Sequence, residues 1–174
     1  AFEQLINLIE EKEYHLDVGV LGGRVLFHVL TDFGYSDLAF SMITRPDYPS
    51  YGNWIVRGAT TLWEVFQPEG SDRIGSLNHH FWGDISSWFT QALSGIRMAP
   101  HGEPNEVDFC PSFISRLTHA EAFHIAPAGR IASAWERDED DVIVLTVELP
   151  STMHGIIRLE SGYVFEDGLA YKAA

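Results

Sequence analysis

A single carboxylate lies beside a large aromatic side chain in a glycine-rich part of this sequence. The pair is Trp63 and Glu64, at the end of Gly58-Ala59-Thr60-Thr61-Leu62-Trp63-Glu64. An aromatic ring can pack against the apolar face of a pyranose, and a carboxyl group can act as acid, base or nucleophile at a glycosidic bond. The segment therefore points to carbohydrate chemistry, with Glu64 as the candidate catalytic residue and Trp63 as a candidate wall of the pocket.

The same segment also fits a local structural motif. Thr61-Leu62-Trp63-Glu64 has the pattern of a capping box, in which the glutamate reaches back to the amide at the start of a helix. Such a helix would end by Gln67, because Pro68 follows. The sequence leaves both interpretations of Glu64 open.

A second polar constellation is Ser76-Leu77-Asn78-His79-His80-Phe81-Trp82-Gly83. Adjacent histidines lack the i, i+4 spacing of a helical zinc pair, and no third ligand follows at a familiar spacing, so no metal site is predicted. Asn78 and His79 offer directional donors and acceptors that suit sugar hydroxyls. The alternative is that these side chains satisfy backbone groups of a long loop.

Aromatic residues are concentrated around these two segments. They are sufficient to wall a pocket, and Trp54 and Tyr51 are further candidates for substrate contact, although core packing is the default role of any one ring. The aromatics in question are Tyr48, Tyr51, Trp54, Trp63 and Trp82.

Four amphipathic helices are predicted around this region. Apolar residues with helical spacing mark one over residues 2 to 13, a second from the candidate N-cap Asp17 to a left-handed stop at Gly34, and a third from a cap at Ser36 to Pro46. The fourth begins near Asp84, its candidate N-cap, and its apolar stripe continues to Ile96. The long connection from Pro46 to Gly83 contains both of the segments described above, residues 58–64 and 76–83. Connections of this length in compact domains are usually functional.

After Gly95 the pattern changes from helical spacing to alternation. Short strands are predicted, which favours an antiparallel β-sandwich, and the fold class is therefore α+β with domains at residues 1–97 and 98–174. The predicted strands are 119–125, 130–136, 142–149, 154–159 and 163–165.

Composition excludes several classes of function. The chain has 174 residues, with 11 Lys and Arg against 25 Asp and Glu, a formal net charge of −14, so nucleic acid and anionic membranes are not expected partners. The single Cys110 forms no internal disulfide, and no apolar run reaches the roughly 20 residues that span a bilayer. No phosphate-binding or dinucleotide-binding loop is present, so no cofactor is predicted.

The ordered combination of motifs resembles the bacterial α-L-rhamnosidases, which have a six-hairpin (α/α) barrel followed by a C-terminal β-sandwich. The resemblance rests on segments that occur in the family's order. They are Gly19-Val20-Leu21-Gly22, Asp37-Leu38-Ala39, Tyr48-Pro49-Ser50-Tyr51-Gly52, Gly58 to Glu64 and Ser76 to Gly83.

This resemblance implies an inverting hydrolysis of terminal α-L-rhamnose from a rhamnose-containing glycoside. The Glu that follows Thr-Thr-x-Trp is the family's general base, which corresponds to Glu64, and the His of the Asn-His motif contacts the sugar, which corresponds to His79. The family's general acid belongs to an upstream motif that has no equivalent in this chain. A full barrel also has twelve helices where four are predicted here. The chain is therefore expected to be the C-terminal part of a larger enzyme, to depend on the remainder of the barrel, and to be inactive alone.

Two other hypotheses stay open. The chain could be a non-catalytic carbohydrate-binding or structural module derived from such an enzyme. Alternatively, the barrel acts on a sugar other than rhamnose.

Overall fold

The computed structural model describes residues 1–72, 75–100 and 102–166. The chain divides into two compact units, Ala1–Ser86 and Ser87–Ala174. The first unit is helical and contains both chemical segments, and the second unit is dominated by β-strands. The architecture is α+β, as the sequence predicts.

Three amphipathic helices begin the first unit: α1 (Phe2–Glu11), α2 (Val20–Asp32) and α3 (Ser36–Thr44). Each buries part of its apolar stripe: Ile9 of α1 is 5% exposed, and Leu30 of α2 and Ala39 of α3 are completely inaccessible to solvent. Leu21 and Val25, on the predicted apolar face of α2, are exposed. The predicted stops are confirmed. Gly34 follows α2 with a φ of +81°, a left-handed conformation that glycine adopts without a Cβ penalty, and Arg45 before Pro46 is extended at φ −54° and ψ 137°.

Two of the predicted helix starts are wrong. Gly19 rather than Asp17 occupies the N-cap of α2, and the carboxylate of Asp17 pairs with Lys12 instead. Ser36 is the first helical residue of α3, and Tyr35 precedes it as the N-cap.

The long connection between α3 and residue 83 contains regular structure that the sequence pattern did not predict. A short helix, α4, spans Tyr51–Val56, and its N-cap Ser50 accepts a hydrogen bond from the amide of Asn53 at 2.9 Å. In the turn before α4, Nε and Nη2 of Arg45 donate to the two carboxylate oxygens of Asp47, at 2.9 and 2.8 Å. A 3₁₀ turn at His80–Trp82 ends the connection.

Helix α5 (Asp84–Trp88) continues as a π-helical turn over Phe89–Leu93. The helix prediction therefore extends too far, because Ile96 lies in the first strand. Asp84 is the first residue of α5 and not a cap, and its carboxylate accepts from Nε2 of His28 at 3.1 Å.

Among the described residues, six strands form two three-stranded sheets: β1 (Ile96–Met98), β2 (Glu106–Phe109), β3 (His119–Ala126), β4 (Gly129–Arg137), β5 (Ile143–Glu148) and β6 (His154–Ile157). One sheet has the order β1-β2-β6 and the other β3-β4-β5. All ladders are antiparallel except β2 with β6, which is parallel. The prediction of an entirely antiparallel sandwich is therefore wrong for one pair of strands, β2 and β6.

Apolar side chains from both sheets make one core. Val107 and Phe109 of β2 pack with Ile131 of β4, and all three are at most 1% exposed. Four of the predicted strands are observed within three residues of their predicted ends, whereas residues 163–165 are not a strand and β1 and β2 were not predicted. The division at residues 1–97 and 98–174 stays a prediction.

None of the helices in the described ranges has both the length and the hydropathy needed to cross a bilayer.

Candidate functional site

Two backbone hydrogen bonds place the two chemical segments side by side. The amide of Glu64 donates to the carbonyl of Ser76 at 2.8 Å, and the amide of His79 donates to the carbonyl of Leu62, also at 2.8 Å. The hydroxyl of Thr61, the residue before Leu62, donates to the carbonyl of Leu77. The glutamate segment (residues 61–64) and the histidine segment (residues 76–79) therefore run antiparallel to each other, although they are separated by more than ten positions in the sequence.

The Glu64 side chain is exposed and faces the histidine segment. Its Oε2 accepts a hydrogen bond from the amide of Ser76 at 2.8 Å. Gly75 leaves room for this arrangement, because a Cβ there would lie 3.3 Å from Glu64 Cβ and 3.5 Å from Oε2. No helix starts at Thr61, so the capping-box interpretation is wrong.

The main chain of Glu64 is fixed from a second direction. The indole Nε1 of Trp82 donates to the Glu64 carbonyl at 3.0 Å. Trp82 is only 5% exposed, and its own carbonyl accepts from the hydroxyl of Tyr51 at 3.2 Å. Burial, together with the negative charge of Asp84, raises the pKa of Tyr51 above its ordinary value, so the phenol keeps the proton that it donates.

His79 is half-buried and forms the N-cap of the 3₁₀ turn. Its Nδ1 accepts from the amide of Phe81 at 3.4 Å. A neutral imidazole bonded in this way carries its proton on Nε2, which makes Nε2 a hydrogen-bond donor. The ring stacks on His80 with centroids 5.5 Å apart and meets Phe81 edge-on at 4.2 Å. The neighbouring rings therefore restrict the orientation of the donor.

Asn78 is exposed, and its main chain is fixed by Ser76. Its amide donates to the Ser76 hydroxyl oxygen at 3.2 Å, and that hydroxyl lies 3.1 Å from the Asn78 carbonyl. The backbone groups of Asn78 are thus satisfied locally.

Four of the five predicted aromatic residues, Tyr51, Trp54, Trp63 and Trp82, form one cluster but differ in burial, whereas Tyr48 is exposed. Trp54 is 2% exposed and Tyr51 is 7% exposed, and Phe66 stacks on Trp54 at 4.2 Å between centroids. Trp63 is half-buried at the edge of the cluster, 6.0 Å from Trp54, with the Arg57 guanidinium 5.0 Å from its ring centroid. Burial favours a packing role for Tyr51 and Trp54, and their contact with a sugar stays a prediction.

Sequence reasoning missed two residues of this cluster. Phe66 contacts Trp54, Tyr51 and Trp82, and Gly23 of α2 lies directly against the Trp82 ring. In the sequence, only the position of Phe66 two residues after Glu64 indicates that it belongs to the cluster. Nothing in the sequence indicates the role of Gly23, because Trp82, which it contacts, is far away along the chain.

Within residues 1–72, 75–100 and 102–166, no group of three or more His, Cys, Asp or Glu side chains is arranged to hold a metal ion. The site is therefore described by one exposed carboxylate, one oriented imidazole and an aromatic cluster.

Two family models match most of the chain. Residues 1–93 match the model of the bacterial alpha-L-rhamnosidase 6 hairpin glycosidase domain, and residues 105–162 match that of the bacterial alpha-L-rhamnosidase C-terminal domain. The chain belongs to the bacterial α-L-rhamnosidase family. The resemblance seen in the sequence motifs is thereby confirmed.

Individual relatives carry the same description. The chain is 32% identical over 156 residues to an alpha-L-rhamnosidase of Streptomyces avermitilis, covering 86% of this chain and 15% of the relative. An alpha-L-rhamnosidase of Formosa agariphila is 33% identical over 158 residues, covering 87% of this chain and 17% of the relative. The chain thus spans less than one fifth of the length of these α-L-rhamnosidases.

Solved α-L-rhamnosidase structures share the fold. The Streptomyces avermitilis enzyme complexed with L-rhamnose matches with a TM-score of 0.82 and 30% identity, over 89% of this chain and 16% of that structure. The enzyme from Dictyoglumus thermophilum matches with a TM-score of 0.81 and 31% identity, over 91% of this chain and 18% of that structure. The similarity includes both compact units of the chain.

Proposed function

We propose that this chain is the C-terminal part of an inverting α-L-rhamnosidase and that Glu64 is the general base. The observation that supports the proposal most directly is the pairing of the glutamate and histidine segments. The bonds from Glu64 N to Ser76 O and from His79 N to Leu62 O hold the carboxylate and the imidazole on neighbouring pieces of chain. Membership of the α-L-rhamnosidase family supplies the substrate class.

The proposed reaction is a single displacement. The ionised Glu64 removes a proton from a water molecule, whose oxygen bonds to the anomeric carbon from the face opposite the leaving group while the glycosidic C–O bond breaks. Oε2 is held by the Ser76 amide at 2.8 Å, so Oε1 is the oxygen that takes the proton. The exposure of Glu64 gives water access to this oxygen.

Sugar recognition is assigned to the neighbouring side chains. Nε2 of His79 donates to a rhamnose hydroxyl, because Nδ1 is already an acceptor for Phe81. The exposed amide of Asn78 bonds a second hydroxyl, and the half-buried ring of Trp63 covers an apolar face of the sugar. Tyr51 and Trp54 support this wall from the buried side of the cluster.

The general acid is assigned to a part of the enzyme outside this chain. Inverting glycosidases hold the two carboxyl groups about 6.5–9.5 Å apart, so that water fits between base and sugar. Asp84 is bound to His28, and Glu69 and Asp72 are exposed loop acids. The isolated chain is therefore expected to hydrolyse little or no rhamnoside.

The test uses the full-length gene product that carries this chain and an aryl α-L-rhamnoside as substrate. Glu64→Gln should lower kcat by about 10²–10⁴-fold, the range for loss of a general base. In Glu64→Ala, azide should restore turnover by attacking the anomeric carbon directly, which gives a rhamnosyl azide of inverted configuration. The matched control is Glu69→Gln, an exposed glutamate nearby, which should keep the original rate.

Unchanged hydrolysis in Glu64→Gln would refute the assignment of the base. Rhamnose binding without hydrolysis by the unaltered full-length product would favour the binding-module hypothesis. A preference for aryl glucosides or glucuronides over the rhamnoside would refute the proposed substrate.

A further inference from the structure

The indole N–H of Trp82 bonds to the main chain of the same residue that the proposed function makes the base. Nε1 of Trp82 lies 3.0 Å from the carbonyl oxygen of Glu64. Because Trp82 is 5% exposed, the indole that donates this bond is shielded from competing water. The contact therefore links a buried side chain to the backbone beneath an exposed carboxylate.

Trp82 itself is held on several sides. Its ring faces Gly23 of α2, where a Cβ would lie 2.4 Å from the ring carbon Cζ3. Phe66 meets the ring at 4.7 Å with an interplanar angle of 62°, and the Tyr51 hydroxyl donates to the Trp82 carbonyl at 3.2 Å. An indole packed this closely offers a fixed donor.

The Glu64 backbone depends on such anchors because it belongs to neither a helix nor a strand. Its amide is bonded to Ser76 on one side and its carbonyl to Trp82 on the other. If the second bond is lost, the peptide can rotate and the carboxylate moves with it. A misplacement of about 1 Å can cost about 10²-fold in rate.

We propose that Trp82 is a positioning residue for Glu64: its indole N–H, seated against Gly23, sets the place from which the carboxylate meets water. This inference rests on the proposed role of Glu64. Trp82 acts through Glu64 and does not contact the sugar.

The test is Trp82→Phe in the full-length gene product, which keeps an aromatic ring and removes the N–H. We expect kcat on an aryl α-L-rhamnoside to fall by about 10–100-fold, with KM changed by less than about 3-fold. The matched control is Trp135→Phe in the second unit. Trp135 is 1% exposed and its Nε1 donates to the Leu93 carbonyl at 2.7 Å, so the control loses the same kind of buried bond and should keep its kcat.

A double-mutant comparison separates positioning from a general structural role. In the Glu64→Ala background, where azide replaces the activated water, adding Trp82→Phe should leave the azide-dependent rate unchanged, because the carboxylate that Trp82 positions is absent. A further fall in that rate would show that Trp82 supports the whole pocket, and it would overturn the proposal. Wild-type kcat in Trp82→Phe would overturn it as well.

If Trp82→Phe does not fold, replacement of Trp82 by 3-benzothienylalanine keeps the shape of the ring and substitutes sulfur for the N–H. The same kcat loss and the same independence of azide rescue are then expected. If Glu64→Gln retains full activity, the proposed function fails, which is distinct from a failure confined to Trp82.

Discussion

Gly23 and Trp82 approach each other so closely that no other residue type fits at position 23 without movement. A Cβ on Gly23 would lie 2.4 Å from Cζ3 and 3.0 Å from Cε3 of the indole. Trp82 in turn donates to the carbonyl of Glu64. The glycine on α2 thus determines the seat of the indole, and through it the backbone of the candidate base.

Replacement of Gly23 by alanine is expected to impair both stability and activity. Overpacking costs about 1–3 kcal/mol, and the higher helix propensity of alanine offsets up to about 1 kcal/mol of this. We therefore expect a net loss of about 1–2 kcal/mol in the free energy of unfolding, measured by urea denaturation, and a lower kcat in the full-length gene product. Gly19→Ala is the control, because a Cβ on Gly19 would have no neighbouring atom within 4 Å and the φ of −74° suits alanine. Equal effects of the two substitutions would contradict the close approach as the cause.

A second prediction concerns acid stability in the turn before α4. Arg45 binds both carboxylate oxygens of Asp47, and Nε2 of His15 adds a bond of 2.9 Å to one of them. The Arg45 bonds, followed by the His15 bond, hold the pKa of Asp47 well below its usual range. A carboxyl whose pKa is lower in the folded state stabilises the fold above its unfolded pKa, and this contribution disappears as the pH falls through the folded value.

The loss should therefore occur below about pH 4, the ordinary pKa of an aspartate. Because Asp47 is half-exposed, solvent screening limits the contribution to about 0.5–1 kcal/mol at neutral pH. Asp47→Asn should lower the urea midpoint at pH 7, and this effect should shrink steadily as the pH falls from about 4 to about 2. In the control Asp140→Asn, an exposed acid whose carboxylate has no partner found in the described part of the chain, the midpoint should stay unchanged at neutral pH. A constant difference between Asp47→Asn and wild type across this range would refute the linkage.

Periodic patterns predicted the long elements of the fold, and short elements escaped prediction. The apolar stripes of α1, α2 and α3 and the alternation in β3, β4 and β5 extend over enough residues to define a period. Helix α4 is six residues long, and its start depends on the buried hydroxyl of Ser50, whose partners are visible only after folding. The parallel ladder of β2 with β6 joins Glu106 to His154, a pairing that local pattern does not encode.

The candidate site shows the same division. Residue type and motif order singled out Glu64 and His79, and the structure places their segments against each other through bonds to Ser76 and Leu62. The anchor from Trp82 to a backbone carbonyl leaves no trace in the sequence, because any residue at position 64 supplies that carbonyl. Burial of Tyr51 and Trp54 was equally invisible, since an aromatic ring suits both a pocket wall and a core.

A third prediction concerns the parallel pair of strands in the second unit. Asp108 of β2 is 6% exposed, and its Oδ2 accepts from Nε of Arg158, which follows β6, at 2.8 Å. Leaving a buried hydrogen-bonding group without its partner costs about 1–3 kcal/mol, whereas an exposed ion pair contributes less than about 1 kcal/mol. Arg158→Met should therefore lower the melting temperature of the chain more than Arg130→Met, which disrupts the half-exposed pair with Glu148.

Asp108→Asn combined with Arg158→Met should recover part of the loss, because the uncompensated charge is then removed. The measurement is calorimetric unfolding of all four proteins, wild type included, and equal shifts for the two arginine variants would show that the burial of Asp108 does not govern the cost.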